Sequence, residues 1–461
     1  MRSVQWPRGP RGQVLLGSAG DFRRDAFGFL RALQRDYGDV ASFRLGAHRL
    51  VLVSHPDAID LVLQRGSRGF RKPRLVTGLG RLLFGEALTA TDGATWRRQR
   101  RLAAPAFHRP RVEGFAAEVV AHTGRMLDGW RTGEVRALDD EALRLFIQIG
   151  AQALLGADLG RDAGVLGAAI GDALSAYGAR VQLGLATPDW LPLPHTLRLR
   201  HAMRRIHRVV APIIEAGGQR AAGATDHQAG GELLSMLLAA TDGDGRRLSP
   251  SQLRDELSVM FVLGGHQLSL ALTWALHLLS QHPHAEARLH AELDAILDGA
   301  PATAAHLSRL RYTRAVIDEA LRLYPPFFLL VREALADVTL DGHHVPRGTI
   351  VAMSPWVTQR DARWFAAPDT FAPERWIDGL ADRLPRGAYL PFGGGPRVCI
   401  AEGLVTTQLT LVLATIAQRF ALRATGPVTP HATVTLGRRA PLSLTVAERA
   451  LVARPPAEVR V

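Results

Sequence analysis

The chain has 461 residues, 47% hydrophobic and 21% charged, which gives ample apolar material for a large folded body. A single cysteine excludes a disulfide scaffold and suits a reducing compartment. The net charge of +13 comes almost wholly from arginine, because Lys72 is the only lysine. These basic residues are scattered among 43 acids without an aromatic-interleaved patch, which argues against a nucleic-acid binder and leaves arginines free to dock an acidic protein.

Met1 to Gly20 carries charges and prolines but no long apolar run, so no signal peptide or membrane anchor is expected, and residues 1–20 read as an N-terminal extension. Phe29, Leu30, Leu33 and Tyr37 fall on one helical face that Gly38 terminates. Val40–Leu45 and Leu50–Val53 are β-prone runs around Gly46-Ala47, a hairpin pattern, and Pro56 opens a short helix to Gly66. Residues 70–95 are Gly-rich and read as irregular. Trp96 and Arg100 then share one face of a helix. Residues 110–215 give amphipathic helices, broken by the Pro-rich stretch from Thr187 to Pro194, and Gly217 to Gly231 reads as a surface connection.

Ser249-Pro250-Ser251-Gln252 is a capping box with proline at the first helical position, and the helix it opens runs to about Gln281, before His282-Pro283. No Asp, Glu, Lys or Arg occurs from Leu257 to Ser280, which passes a length test for a membrane span. Ser258, His266, Gln267 and Ser269 interrupt the run, so a central core helix roughly 45–50 Å long is the better reading. Gly264-Gly265 in its middle costs about 1 kcal/mol per glycine relative to alanine, which makes sense where something approaches the backbone closely or the helix opens.

Arg314 to Tyr324 is a further helix, ended by Pro325-Pro326, with Glu319 and Arg322 on one face. Thr339–Val345 and Thr349–Met353 are β-prone, and Val434–Thr445 reads as a last hairpin turning near Gly437. The pattern as a whole is mainly α with a small β-lobe. Between these segments lies Phe392-Gly393-Gly394-Gly395-Pro396-Arg397-Val398-Cys399, followed by a core helix from Leu404 to Phe420. Three glycines and a proline favour a tight irregular loop. Backbone N–H groups and the positive end of the following helix are expected to favour the thiolate of Cys399, the form that binds a metal.

Phe392, Gly395, Arg397 and Cys399 fit the pattern Phe-x-x-Gly-x-Arg-x-Cys, and the chain resembles the cytochrome P-450 (haem-thiolate) superfamily, bacterial soluble type. Ala401 stands where that family usually has glycine. The resemblance covers roughly residues 20–450 and implies one haem-thiolate catalytic domain over 21–461, with a long helix crossing above haem b. It implies Cys399 as the axial iron ligand, with Trp96, Arg100, Arg332 and Arg397 holding the propionates. Glu319, Arg322 and Arg375 match the family's buried structural network. Phe327, Phe328, Leu329 and His266 would line the substrate pocket, under a lid near Thr187–Pro194, and the turn near Gly437 would also reach the substrate.

Gly264, Gly265, His266, Gln267, Leu268 and Ser269 match the stretch where the family has an acid–alcohol pair that helps deliver protons during oxygen activation. Here the acid is Gln267 and the alcohol Leu268, with Ser269 one position away. Gln267, Ser269, Gly265 and Leu268 are therefore the candidate catalytic positions. The implied function is a cytoplasmic, monomeric monooxygenase. It uses O₂ and electrons from a separate ferredoxin or flavodoxin with its reductase to oxidise a hydrophobic small molecule, such as a terpenoid intermediate. The missing pair leaves open peroxide-driven, radical-coupling, desaturating or substrate-assisted chemistry. A haem-binding protein without turnover is the reading from another class.

Overall fold

The computed structural model describes residues 5–182, 190–223 and 233–449. Helices α1 (Ala26–Tyr37), α2 (Arg74–Phe84), α3 (Gly93–Ala103), α4 (Leu138–Leu155), α5 (Asp162–Gln182), α6 (Pro194–Gly223), α7 (Pro250–Gln281), α8 (Arg311–Leu323) and α9 (Glu402–Arg419) make up most of the body. Five strands form the main sheet: β1 (Val40–Leu45), β2 (His48–Val53), β3 (Phe70–Arg71), β5 (Leu330–Ala334) and β8 (Ile350–Met353). β4 (Val135–Ala137), β9 (Phe420–Ala424) and β12 (Ser443–Glu448) form a second, three-stranded sheet, while β6 (Val338–Leu340) with β7 (His343–Val345) and β10 (Pro430–Ala432) with β11 (Leu436–Arg438) are two-stranded ribbons.

The main sheet has the order β1-β2-β8-β5-β3, with β2 and β8 parallel and the other pairs antiparallel. Its last pairing matters most for the site. Phe70 and Arg71 lie opposite Ala334 and Glu333, so Lys72, which follows β3, comes to the strand that carries Arg332. The segment expected as an extension is instead tied to this sheet. Ser42 donates its N–H to the Arg8 carbonyl (2.8 Å) and its hydroxyl to Pro7 O (2.7 Å), and Gly17 bridges to Leu45.

α1 is capped by Asp25, whose carboxylate accepts the Gly28 N–H, and ended by Gly38 at φ +89°. Its buried side is Phe27, Leu30 and Leu33, while Tyr37 is 40% exposed. α2 replaces the irregular stretch expected over 70–95. Gly78 and Gly80 hid it, although Leu79 and Leu83 keep helical spacing and are both buried. Helix also extends through Gly217 to Gly223, where a surface connection was expected, and the remainder of that connection lies outside the described residues. The C-terminal hairpin is shifted: Gly437 pairs with His431 inside the β10–β11 ribbon, and the turn is made by 433–435. Thr187–Asp189 of the expected lid falls outside the described residues. Trp190 to Leu193, which leads into α6, is described, and Trp190 is 74% exposed.

α7 begins as expected. Ser249 Oγ accepts the Gln252 N–H (3.1 Å), and Gln252 Oε1 accepts the Ser249 N–H (3.1 Å), which satisfies two otherwise orphaned donors. From Leu268 to Leu279 every residue is buried, which makes α7 a core helix. Between Met260 and Gly265 it widens into π-helical geometry, a distortion typical of functional positions.

The network behind the cysteine loop is closed on itself. Glu319 and Arg322 are both fully buried. Arg322 spends all five N–H donors: two on Glu319 (2.8 Å each) and one each on the carbonyls of Gln359 (2.8 Å), Pro368 (2.6 Å) and Thr370 (3.0 Å). Arg375 Nε (3.0 Å) and Trp376 Nε1 (2.9 Å) complete the Glu319 carboxylate. Gln359 carries the network onward, donating to Leu321 O and Arg322 O and accepting the Leu390 N–H (2.8 Å), two residues before Phe392.

Candidate active site

The loop from Phe392 to Cys399 is closed by its own backbone. Cys399 N–H donates to Phe392 O (2.9 Å) and Val398 N–H to Gly395 O (3.0 Å). Gly395 sits at φ +69° with its α-carbon pressed on the Leu63 carbonyl; a Cβ there would lie 1.8 Å from that oxygen. Only glycine fits, both for backbone conformation and for space. Arg100, on α3, donates to Val398 O (2.7 Å), which fixes α3 to the residue before the cysteine.

Burial raises the pKa of the Cys399 thiol, and Glu402 adds to this. The Ala401 N–H and Arg100 pull the other way and are outweighed. The Ala401 N–H thus favours the thiolate as expected, but the loss of water outweighs it. A bound metal reverses that balance, since coordination deprotonates a thiol outright.

Three cations converge nearby. The Arg397 guanidinium lies 4.2 Å from the centroid of the Trp96 ring and pairs with Asp92 through Nη2, while its Nη1 is enclosed with no partner among the described residues. Arg332 donates to Val331 O (2.9 Å); burial and then Arg397 push its pKa down to about 10, against the pull of Asp92. Burial also lowers Lys72 to about 7, Arg397 and Arg332 push the same way, and Asp92 and Glu256 oppose them. Asp92 is the carboxylate common to all three cations. Burial would raise its pKa, but the N–H groups of Gly93 and Lys72, together with Arg397, hold it below the usual range. The cluster thus carries more positive charge than it neutralises.

Lys72 and Asp92 were not among the expected site residues. The signal was present: Lys72 is the one lysine in a chain whose other 55 basic residues are arginine. Its ammonium meets three carbonyls, Leu88 O (2.7 Å), Thr89 O (2.9 Å) and Thr91 O (3.1 Å), a compact target that a guanidinium fork does not match. The same loop is held from α7, where Asp255 accepts the Glu86 N–H (2.9 Å) and Glu256 the Leu88 N–H (2.8 Å). Burial raises Glu256 to about 7.

On α7 the candidate catalytic positions separate onto different sides. A Cβ on Gly264 would enter open space, whereas a Cβ on Gly265 would lie 3.4 Å from Ile147 Cγ1 of α4. Gly265 is therefore a close-approach residue between helices. Ser269, one turn on, is buried, and its hydroxyl donates to His266 O (2.8 Å). Gly265 lies against α4, and the Ser269 hydroxyl, one turn on, is bonded within its own helix. Leu268 follows Gly264 by one turn and shares its side. Gln267 borders that side, and both of its amide atoms are enclosed without a partner.

His266 faces the β10–β11 turn. Its Nε2 is 3.4 Å from the Thr435 hydroxyl, and loss of water around the ring pushes its pKa down to about 4. β11 is held to α7 by Arg438, which donates to Thr273 Oγ1 (2.7 Å), and by Trp274 Nε1 to Leu436 O (3.4 Å). Phe328, expected as pocket wall, is buried with its ring 5.2 Å from that of Phe27, Leu329 packs against the same cluster, and Phe327 is half-buried.

The Cytochrome P450 family model matches residues 7–441. The chain is 34% identical over 427 residues to the cyclooctat-9-en-7-ol 5-monooxygenase of Streptomyces melanosporofaciens, covering 91% of this chain and 90% of that one. It is 33% identical to the cyclooctatin synthase of the same organism (92% and 93% covered) and 31% identical to the pentalenene oxygenase of Streptomyces avermitilis (88% and 89%). Among solved structures, a retinoic acid-bound cyanobacterial cytochrome P450 superposes with a TM-score of 0.84 at 23% identity, covering 97% of this chain and 100% of that one.

With the cysteine loop, the closed Glu319 network and the long helix in these positions, the chain belongs to the cytochrome P450 family. It is a cytochrome P450 monooxygenase whose cofactor is haem b. The residues present fit that cofactor. Haem brings an iron for a thiolate and two propionate carboxylates for surplus cations, and Arg397 Nη1 is a buried donor lacking an acceptor. Haem, when bound, would supply the redox centre of the reaction.

Proposed function

We propose that this monooxygenase oxidises a terpenoid intermediate of natural-product biosynthesis in the cytoplasm, as a monomer, with electrons from a separate ferredoxin or flavodoxin. The observation that carries the substrate class is the set of relatives at 31–34% identity over most of the chain, named for cyclooctatin and pentalenene oxidation. In this reading Cys399 ligates the iron, and Trp96, Arg100, Arg332 and Arg397 take the propionates, with Phe392 beside the thiolate. The surplus positive charge and the orphaned Arg397 Nη1 support that assignment. Arg97 and Arg101 are exposed on α3, the helix whose Arg100 bonds to Val398 O, and suit an acidic redox partner.

A second reading, proton delivery that bypasses the acid–alcohol pair, is favoured by one observation. Leu268 offers no hydroxyl, and that of Ser269 is bonded to its own helix. Both readings are tested by turnover of a sesquiterpene and diterpene panel under ¹⁸O₂ with ferredoxin, reductase and NADPH. Product carrying one ¹⁸O supports the O₂-dependent monooxygenase. Product formed only with added peroxide, or lacking the label, overturns it, while labelled product from hydroxylated but not from hydrocarbon substrates supports proton delivery by the substrate, the second reading.

A further inference from the structure

Along α7 from Gly264 to Thr273 the polar side chains are spoken for, with one exception. Ser269 donates to His266 O (2.8 Å), Thr273 donates to Ser269 O (2.7 Å) and receives Arg438, and His266 pairs with Thr435. Gln267 has both Oε1 and Nε2 shielded from solvent, and neither meets a partner among the described residues. An amide in that state is costly, because it has given up water and gained nothing. Its place on the helix says what it awaits. Gln267 follows Gly264 by three residues, roughly 60° round the helix, and Gly265, packed on α4, is roughly 160° away. The amide therefore borders the side where a Cβ on Gly264 finds open space. The side chains that share that side, Leu268 and Ala271, are apolar.

We propose that Gln267 anchors an oxygen atom that the substrate already carries, so that the enzyme prefers a terpenoid alcohol or ketone over the parent hydrocarbon. This rests on the terpenoid reading of the same site. A carboxamide suits the task, since Nε2 donates and Oε1 accepts, and a substrate hydroxyl can use both. The amide fixes which end of the hydrocarbon skeleton lies where. The enzyme then stands after the first oxygen enters the skeleton. The reaction class that supplies its substrate is either an earlier oxygenation or a cyclisation that ends with water capturing a carbocation.

The test is equilibrium binding to the haem-loaded protein, read by difference absorption and by calorimetry, with two matched pairs: cedrol and cedrene, and abietadienol and abietadiene. Wild type is expected to bind the alcohol about tenfold more tightly than the hydrocarbon in at least one pair. Gln267→Leu is expected to erase that preference and, by removing a buried unpaired amide, to raise the melting temperature slightly, while an intact carbon monoxide difference spectrum shows that the haem is still loaded. Gln267→Asn, which keeps the amide on a shorter arm, is expected to retain part of it. Equal binding of both members by wild type, or a preference that survives Gln267→Leu, overturns the proposal and leaves the terpenoid reading standing. Absence of binding for all four compounds overturns the terpenoid reading and this proposal with it.

Discussion

Two arginines in this protein are buried in opposite ways. Arg322 has every donor matched, on a carboxylate and three carbonyls from the segment 359–370. Arg397 has one amino group on Asp92, its plane near the Trp96 ring, and the other amino group without a hydrogen-bond partner among the described residues. A complete hydrogen-bond set marks a group whose work is finished when the chain folds. An incomplete set leaves a donor available for an acceptor that arrives afterwards. Gln267 belongs with Arg397, and Ser269, whose hydroxyl is bonded to its own helix, belongs with Arg322.

The contrast breaks most sharply at Glu319. Glu319→Ala strands two arginines and the Trp376 indole, so denaturant unfolding of the purified protein should show a loss of about 3–5 kcal/mol. A loss under 1 kcal/mol would mean that the network is not what holds this region. Arg397→Leu should cost the haem-free protein the Asp92 ion pair, a smaller loss than that of Glu319→Ala, and should release haem to apomyoglobin at least tenfold faster, in keeping with about 1.5–3 kcal/mol for a charge-assisted bond. Equal effects on fold and on haem retention would erase the distinction between the two arginines.

His266 sharpens it through pH. Its folded pKa of about 4 lies below the ordinary value of 6.5, so between those values the unfolded chain holds a proton that the folded one does not. Stability on this account is intact above 6.5 and falls as the pH drops towards 4. The loss from about pH 7 to about pH 5 should be about 2 kcal/mol, and His266→Asn should flatten that limb. An unaltered acid limb in the variant would show that the ring is hydrated.

The smallest expected effect separates the paired glycines. Gly264→Ala gains helix propensity of up to about 1 kcal/mol with nothing in its way, whereas Gly265→Ala gains the same propensity and an ordinary van der Waals contact with Ile147 at 3.4 Å, so it should stabilise slightly more. Identical melting temperatures for the two variants would contradict the assignment of helix sides.

The sequence made some of this plain and hid the rest for physical reasons. The Ser249 cap, the Glu319–Arg322 pair and the cysteine loop are local: each is a spacing of eight residues or fewer, and each is found where its spacing put it. Arg375 closes on Glu319 as the family resemblance implied, while Trp376 and Gln359 went unread because nothing local marks a side chain as facing a distant carboxylate. Lys72 meets Arg332 through strand pairing across some 260 residues, beyond any periodicity. The direction of the Cys399 shift depends on how much water the fold removes, which no motif encodes. Gly265 and Ser269 were placed by family alignment, and only the position of α4 shows which side of the helix they occupy.

The loop between Phe84 and Asp92 has a practical consequence. Its carbonyls enclose the only side-chain amine in the protein. An amine-directed reagent therefore has a single internal target, and that target is presented only when the loop lets go. The rate at which Lys72 acquires label, followed by mass spectrometry, is thus a site-specific clock for opening of this segment. Each molecule records its own history without any introduced probe.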